Sequence, residues 1–450
     1  MRHKHRQRPL FAAALVTAAL SWTVFVASAI AATSPLDPLF GDGGVAAAPT
    51  PSALAVSDLA RLDADGAMLA AVSSWEEGGS AFAVARFNGV GEMDGGFGQA
   101  GLAAVPAGGR RGDVLQAQGV AALPDGGSLV VGYRTRSSGR DLRTAPLLAK
   151  FLPDGRLDRG FSGDGLVAPP FASRDGEILT AVEVEPGGRI LVAGTRNERV
   201  GGKPAGLVTA YRPNGLVDRS FGHGGRVLFP ASRDFHYTGL SDVTRISGGL
   251  LVSGYRHGRL FVARLRRDGS PDRRFGRAGT VSLDLGGTGG CLAACGPRTA
   301  LAIVRSGILV LGTQRRSPTV VARLRRDGRL DRRFGVGGFV TRSVGNGLTN
   351  PSDLAVQDNG RIVVVGSDSR VTATSHVYYV FAALRLMPNG KADRSFGGAG
   401  IYALAGSRNS AGFTALAQPS GRVVAGGGIG PNEGEPGGPA LLLTRFLPNR

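Results

Sequence analysis

Residues 327–335, Asp-Gly-Arg-Leu-Asp-Arg-Arg-Phe-Gly, contain the motif that decides the fold. The pattern Asp-x-x-Phe-Gly-x-x-Gly occurs seven times, and successive Phe residues are 54 to 64 positions apart. One copy has Ser162 in place of the first Gly. The repeated Asp and Phe residues are Asp37 and Phe40, Asp94 and Phe97, Asp158 and Phe161, Asp218 and Phe221, Asp272 and Phe275, Asp331 and Phe334, and Asp393 and Phe396. A period near 60 residues indicates a repeat architecture.

Four short apolar runs return between successive motifs, and turn residues bound each run. In the unit after Phe161 the runs cover 165–168, 179–184, 189–194 and 206–212. Turns such as Asp358-Asn359-Gly360 join the second run to the third and are typical of tight hairpins. No helical period is sustained after residue 32. Four strands in each of seven units predict an all-β, seven-bladed β-propeller with four-stranded antiparallel blades.

The two ends of the chain carry complementary parts of one unit. Residues 36–41 are the tail of a unit, and residues 445–449 are the piece that precedes that tail in the other units. We therefore expect the N-terminal and C-terminal segments to pair and close the ring. Closure leaves no blade with a bare edge strand.

These repeats resemble the delta-60 repeat family of bacterial exported proteins. Residues 187–194, Gly-Gly-Arg-Ile-Leu-Val-Ala-Gly, and residues 327–335 carry the resemblance, which extends over essentially all of residues 36–449. The resemblance implies propeller blades in a surface or secreted protein. It implies no particular reaction and no catalytic residue.

The first residues indicate export. Residues 1–10 are basic without acids, and residues 11–32 are apolar and end in small side chains, which is typical of a secretory signal peptide. We expect residues 1–31 to be a Sec-type signal peptide and residues 32–450 to form a single propeller domain. An uncleaved anchor is the alternative, because about 20 apolar residues can span a bilayer. The mature protein is expected to be monomeric and secreted, periplasmic or attached to the cell surface.

The chain is strongly basic, with 53 Lys and Arg against 34 Asp and Glu and a net charge of +19. Only four of the basic residues are Lys, so a coding preference for Arg is one explanation. That preference does not explain clustering: residues 258–342 hold 18 Arg and 5 Asp. Two adjacent units are therefore predicted to share a basic patch, which comprises Arg266, Arg267, Arg273, Arg274, Arg325, Arg326, Arg332 and Arg333.

The predicted partner of this patch is an anionic cell-surface polymer or an acidic protein. Nucleic acid is disfavoured, because the Arg strings lack the interleaved aromatic residues on which bases stack. The position directly after the motif Asp is also basic in five units, at Arg159, Arg219, Arg273, Arg332 and Arg394. If the blades are equivalent, these five residues lie in an arc on one face. The arc is either an anion-binding rim or a result of the coding preference for Arg.

The repeated Asp and Phe are interpreted as structural, with the Phe buried between blades and the Asp accepting N–H groups of its turn. A metal site is disfavoured, because one Asp per blade gives no dense oxygen cluster. A second repeated position is basic and is expected to pair with the motif Asp. It is occupied by Arg86, Lys150, Arg264, Arg323, Arg385 and Arg445, and by Ala210 in the remaining unit.

The sequence favours a non-catalytic binding or scaffold module. Four His after the signal peptide are scattered, no nucleophile elbow or phosphate loop is present, and no cofactor is predicted. The alternative is a secreted carbohydrate-active hydrolase or lyase with its site in the propeller channel, where Asp58, Asp242 and Asp353 occupy similar strand positions. Cys291 and Cys295 are a possible local disulfide or a free pair.

Overall fold

The computed structural model describes most of the chain after residue 33. The described ranges are 34–50, 54–63, 65–74, 80–106, 113–138, 141–171, 175–198, 204–230, 239–285, 298–313, 319–342, 349–371, 377–397, 399–404, 409–430 and 439–448. The predicted signal peptide and the two cysteines, Cys291 and Cys295, lie outside them. Over these ranges there is no helix with the length and apolar character needed to cross a membrane.

The described residues form 28 β-strands in seven sheets of four. Seven strands are the first of their sheet: β2 (Leu54–Arg61), β6 (Asp113–Ala122), β10 (Asp175–Val184), β14 (Gly239–Ile246), β18 (Ala300–Val304), β22 (Thr349–Val356) and β26 (Ser410–Ala417). The second strands are β3 (Met68–Ser74), β7 (Ser128–Ser138), β11 (Ile190–Glu198), β15 (Gly249–Arg256), β19 (Gly307–Thr313), β23 (Ile362–Val371) and β27 (Val423–Ile429). The third strands are β4 (Ala83–Phe87), β8 (Asp141–Phe151), β12 (Ala205–Tyr211), β16 (Arg259–Arg266), β20 (Thr319–Leu324), β24 (Val377–Leu386) and β28 (Ala440–Phe446). The fourth strands are β5 (Leu102–Ala104), β9 (Leu166–Val167), β13 (Arg226–Phe229), β17 (Thr280–Leu283), β21 (Phe339–Arg342), β25 (Ile401–Ala403) and β1 (Val45–Pro49).

Each sheet is an antiparallel meander and forms one blade of a propeller. Blade 1 is β2–β5, blade 2 is β6–β9, blade 3 is β10–β13, blade 4 is β14–β17, blade 5 is β18–β21, blade 6 is β22–β25, and blade 7 is β26–β28 with β1. The first strand of each blade contacts the first strands of both neighbouring blades, so the seven first strands close a ring around the axis. The predicted all-β, seven-bladed propeller is confirmed.

The chain ends close the ring as expected. Strand β1 pairs with β28 in antiparallel register, from Val45 opposite Thr444 to Pro49 opposite Ala440. Blade 7 is therefore built from both ends of the described chain. The repeat unit read from the sequence is offset from the blade, because its first apolar run is the fourth strand of the preceding blade.

The hydrophobic core lies between blades. One cluster combines Leu191 and Val208 of blade 3 with Leu250 and Phe261 of blade 4. The second and third strands are almost wholly buried, because neighbouring blades cover both of their faces. Stability is therefore shared along the ring through contacts between adjacent blades.

The meander sends its turns to two faces of the propeller. The turns between first and second strands and the motif loops between third and fourth strands emerge on one face, which we call the motif face. The loops between second and third strands and the links to the next blade emerge on the opposite face. The Arg arc and the basic patch belong to the motif face.

Candidate functional site

All seven motif aspartates form a salt bridge with a basic side chain of their own blade. The basic residues predicted to pair with the motif aspartates lie on the third strand of six blades. The pairs are Arg86–Asp94 at 2.6 Å, Lys150–Asp158 at 2.7 Å, Arg264–Asp272 at 3.0 Å, Arg323–Asp331 at 2.8 Å, Arg385–Asp393 at 2.7 Å and Arg445–Asp37 at 3.0 Å. Each Asp also accepts an N–H of its own turn through its other carboxylate oxygen, such as Gly96 N–H at Asp94. The Gly96 amide and Arg86 together hold the pKa of Asp94 below its usual value.

In blade 3 the motif Asp pairs with a basic residue at a different position. Ala210 stands at the third-strand position, and Arg189, which precedes β11, contacts Asp218 at 2.7 Å instead. Blades 6 and 7 have both cations, because Arg361 also contacts Asp393 and Arg422 also contacts Asp37. Sequence reasoning missed this second position. The signal that could have found it is the recurring Gly-Arg-Ile or Gly-Arg-Val at the start of the second strand.

The paired arginines also reach the next blade. The Arg86 guanidinium donates to the Pro153 carbonyl at 2.7 Å, and Arg323 donates to the Pro388 carbonyl at 2.9 Å. Arg323 also lies over the ring of Phe334, 4.7 Å from its centroid. The motif Phe rings are 0–1% exposed. These contacts give the repeated Asp, Arg and Phe a role in joining adjacent blades.

The basic patch behaves differently. All eight of its arginines are exposed, and within the described ranges none of their guanidinium groups forms a salt bridge. Arg266 ends the third strand of blade 4, and the turns that follow the third strands of blades 4 and 5 carry Arg267, Arg325 and Arg326. The other four lie in the motif loops of the same two blades. The structure therefore places the eight predicted residues on one face of two adjacent blades.

Two further arginines enlarge this basic surface. Arg277 lies in the motif loop of blade 4, and Arg305 lies in the turn between β18 and β19 of blade 5. Both are exposed and have no salt bridge to a described residue. Neither residue belongs to the repeated Arg strings from which the patch was predicted. The five arginines of the arc are exposed as well and occupy equivalent places in blades 2 to 6.

The central channel is the second candidate site. A cavity of about 420 Å³ is lined by residues of all seven blades, including Asp58, Asp242 and Asp353. Six of the seven first strands contain a β-bulge here, and each Asp is the first paired residue after its bulge. A bulge re-aims the side chains that follow it. The bulges thus place the three carboxyl groups on the channel wall.

Each channel carboxylate accepts a backbone N–H from the next blade. Asp58 Oδ2 accepts from Val120 at 2.9 Å, and Asp242 Oδ2 accepts from Leu301 at 2.7 Å. Asp58 Oδ1 also accepts from Leu59 of its own strand at 2.9 Å. Ser57 donates to the Ala117 carbonyl of the next blade at 3.0 Å. The channel wall is therefore a second ring of contacts between blades.

Burial raises the pKa of all three carboxyl groups. It raises the pKa of Asp58 to about 6, of Asp242 to about 7 and of Asp353 to about 8. Repulsion from Asp242 and Asp58 adds to the effect at Asp353, whereas Arg298 opposes it at Asp58. Among the described residues, no group of three or more His, Cys, Asp or Glu is placed to hold a metal ion. The arrangement is one of three acids that titrate near neutral pH inside a polar channel.

Arg298 is the basic residue that enters this channel wall from blade 5. Its guanidinium carbon lies 5.7 Å from the centroid of the Phe413 ring. At the motif face, Glu183 contacts Arg245 at 3.5 Å, and burial raises the pKa of Glu183. The channel carboxylates are thus held by amides and partly balanced by arginines, which is what a structural role requires.

Two segments of the chain match a known family model. Residues 64–97 and 357–396 match a family model described as "Domain of unknown function (DUF5122) beta-propeller". No curated protein sequence matches the chain. The virginiamycin B lyase structure from Staphylococcus aureus is similar in fold at 8% identity and a TM-score of 0.45, covering 89% of this chain and 98% of that one. A gluconolactonase structure from Xanthomonas campestris is similar at 14% identity and a TM-score of 0.38, covering 91% of each chain.

A third similar structure is the Dos1 propeller, at 9% identity and a TM-score of 0.43, covering 88% of this chain and 95% of that one. Identities and TM-scores this low carry no information on ligand or activity. The family match covers one segment in blade 1 and one in blade 6, and the blades between them repeat the same motif. The chain is accordingly a β-propeller repeat protein.

Proposed function

We propose that this protein is an exported, non-catalytic β-propeller of the delta-60 repeat type that binds an anionic partner through its basic patch. The proposal rests on a difference between two sets of arginines. Arginines at the repeated third-strand position bind an Asp of their own blade and a carbonyl of the next blade, as Arg323 does. The eight patch arginines are exposed and form no salt bridge with a described residue, and only the charges of Arg266 and Arg325 lower the pKa of a nearby carboxyl group, at Asp268 and Asp331.

Unpaired guanidinium groups on one face favour an anionic ligand for two reasons. Their summed positive potential raises the local concentration of anions and speeds encounter. Each guanidinium can also donate two parallel hydrogen bonds to a phosphate, sulfate or carboxylate group. A rigid propeller holds the groups in place, so little backbone order is lost on binding.

The experiment is retention of the purified protein on immobilised heparin at low ionic strength. We expect the wild-type protein to bind and to elute as salt is raised, because exposed charges are screened within about 10 Å at 0.1 M salt. Replacing Arg266, Arg267, Arg325 and Arg326 together with Ser should remove retention. Unchanged retention of this variant would refute the proposal.

The matched control replaces Arg156 and Arg329 with Ser. Both are exposed on the motif face, but Arg156 contacts Asp154 at 2.6 Å and Arg329 contacts Asp327 at 3.8 Å. Their charges are therefore already balanced locally. The control variant should be retained like the wild-type protein, and the thermal melts of all three proteins should agree.

A further inference from the structure

Contacts between blades determine which basic residues lie beside one another on the motif face. The Gly276 N–H of the blade 4 motif loop donates to the Asp327 carbonyl of the blade 5 turn at 2.8 Å. The same contact joins Gly222 to Asp268 at 2.7 Å and Gly335 to Asn389 at 2.9 Å. The turn of each of these blades thus sits on the motif loop of the blade before it.

This packing brings arginines of different blades next to one another. Arg325 and Arg326 begin the turn that rests on the motif loop carrying Arg273 and Arg274. In the same way, the turn with Arg266 and Arg267 rests on the motif loop of blade 3, which carries Arg219. Basic residues therefore recur around the rim from blade 3 to blade 5, with the exposed Asp268 and Asp327 among them.

The row continues at its far end. The blade 6 turn rests on the blade 5 motif loop with Arg332 and Arg333, and the blade 6 motif loop carries Arg394. Arg219 and Arg394 are exposed and form no salt bridge with any residue that the structure describes. We call the eight patch residues with Arg219 and Arg394 the basic track. It spans four successive blades.

The shape and composition of the track select among anionic partners. Protein–protein interfaces combine Arg with buried aromatic anchors, whereas all ten residues of the track are Arg. A single small anion reaches only one or two of them. A linear polyanion reaches many in succession, and each added contact then forms within the bound complex at a high effective concentration. Release of the counterions of such a polymer adds further free energy.

We propose that the basic track binds a linear polyanion, which lies along the rim from blade 3 to blade 6. The assignment rests on the proposed function and specifies its ligand class. The charged repeat of the polymer is phosphate, sulfate or carboxylate, each of which a guanidinium can bind through two hydrogen bonds. The polymer contacts the central arginines in any register and reaches Arg219 and Arg394 only when it is long.

The test is the affinity of the purified protein for tripolyphosphate and for long-chain inorganic polyphosphate, compared per phosphate at equal ionic strength. We expect the long chain to bind at least about tenfold more tightly per phosphate, and its affinity to fall more steeply with salt. The double variant R219S/R394S should weaken the long chain several-fold and leave tripolyphosphate unchanged. The control variant R156S should change neither affinity, because Arg156 lies outside the track and pairs with Asp154.

Two outcomes would overturn the proposal and leave the proposed function intact. One is equal affinity per phosphate for both probes with no effect of R219S/R394S, which would indicate independent small-anion sites. The other is tighter binding to phosphatidylglycerol vesicles than to long-chain polyphosphate, which would indicate a membrane surface. Absence of retention on heparin would instead refute the proposed function itself.

Discussion

Asp353 Oδ2 accepts a hydrogen bond of 2.8 Å from the backbone N–H of Ala415, across the boundary between blades 6 and 7. Thr414 connects the same carboxylate to the next one, since its hydroxyl lies 3.2 Å from Asp353 Oδ2 and 3.3 Å from Asp58 Oδ1. Three blades are thereby linked on the channel wall. The ionisation of these carboxyls is therefore coupled to the stability of the ring.

Stability should fall as pH rises from about 5 to about 8. An Asp in the unfolded chain has a pKa of about 3.9, whereas the folded values are about 6, 7 and 8 for Asp58, Asp242 and Asp353. The folded state thus binds more protons over this range, and the free energy of unfolding decreases with pH. A pKa difference of one corresponds to about 1.4 kcal/mol for each group, so we expect the total loss of stability over this range to be several kcal/mol.

The measurement is urea unfolding at intervals between pH 5 and pH 8.5, on the wild-type protein and on D58N/D242N/D353N. The variant should have a flatter dependence, whatever its absolute stability. Six motif aspartates do not interfere, because their pKa values are lowered and they are ionised in both states over this range; they are Asp37, Asp94, Asp158, Asp218, Asp331 and Asp393. Parallel pH dependences of the two proteins would contradict the assignment of these groups.

Blade 3 should be sensitive to the loss of Arg189. Asp218 is 13% exposed in its side chain and would keep only Ser220 and its own turn as partners. Leaving a largely buried charge without its cation costs about 1–3 kcal/mol. Chemical denaturation of R189A measures this cost, and R156A, which breaks an exposed pair, should lie within about 0.5 kcal/mol of wild type.

A second substitution in blade 3 should compensate for the loss of Arg189. In the other six blades the third-strand position of Ala210 carries Arg or Lys, and in blade 6 that residue, Arg385, is completely buried beside Asp393. Adding A210R to R189A should therefore restore part of the lost stability. A double variant no more stable than R189A would show that the two cation positions are not equivalent.

Two apolar side chains of the blade 5 motif loop, Phe334 and Val336, should differ in their importance. Phe334 is 0% exposed, and its ring packs against Gly390 of blade 6, whereas Val336 is 87% exposed. We expect F334A to lower the free energy of unfolding by about 3–5 kcal/mol. V336A should change it by less than about 0.5 kcal/mol. A small effect of F334A would argue against an anchoring role for the motif Phe.

Ring closure should depend on strand β28. Deleting residues 441–450 removes the partner of β1 and exposes β27 as an edge strand. We expect the truncated chain to lose its cooperative thermal transition, measured by circular dichroism. F446A retains the strand and removes a ring that packs 5.2 Å from Phe396, so it should melt cooperatively at a lower temperature. An unchanged melt after truncation would contradict the closure mechanism.

Much of the fold could be predicted from the repeat, because the motif marks every blade and turn residues bound the strands. Periodicity does not show where one blade ends, since a repeat can be cut at any point. The structure assigns each short strand after the motif to the preceding blade. The partner of Asp218 could not be predicted either, because Arg189 and Asp218 meet only when the second strand lies beside the motif loop.

The sequence by itself determined the seven units, the pairing of the two termini and the clustering of arginine in two adjacent units, because these follow from local pattern and count. Only the tertiary structure decided which charges are free. Arg323 and Arg325 are two residues apart on one strand end, yet one is held by Asp331 and the Pro388 carbonyl and the other is exposed. Partners that lie on another strand or another blade make that difference, and distance along the chain does not encode them.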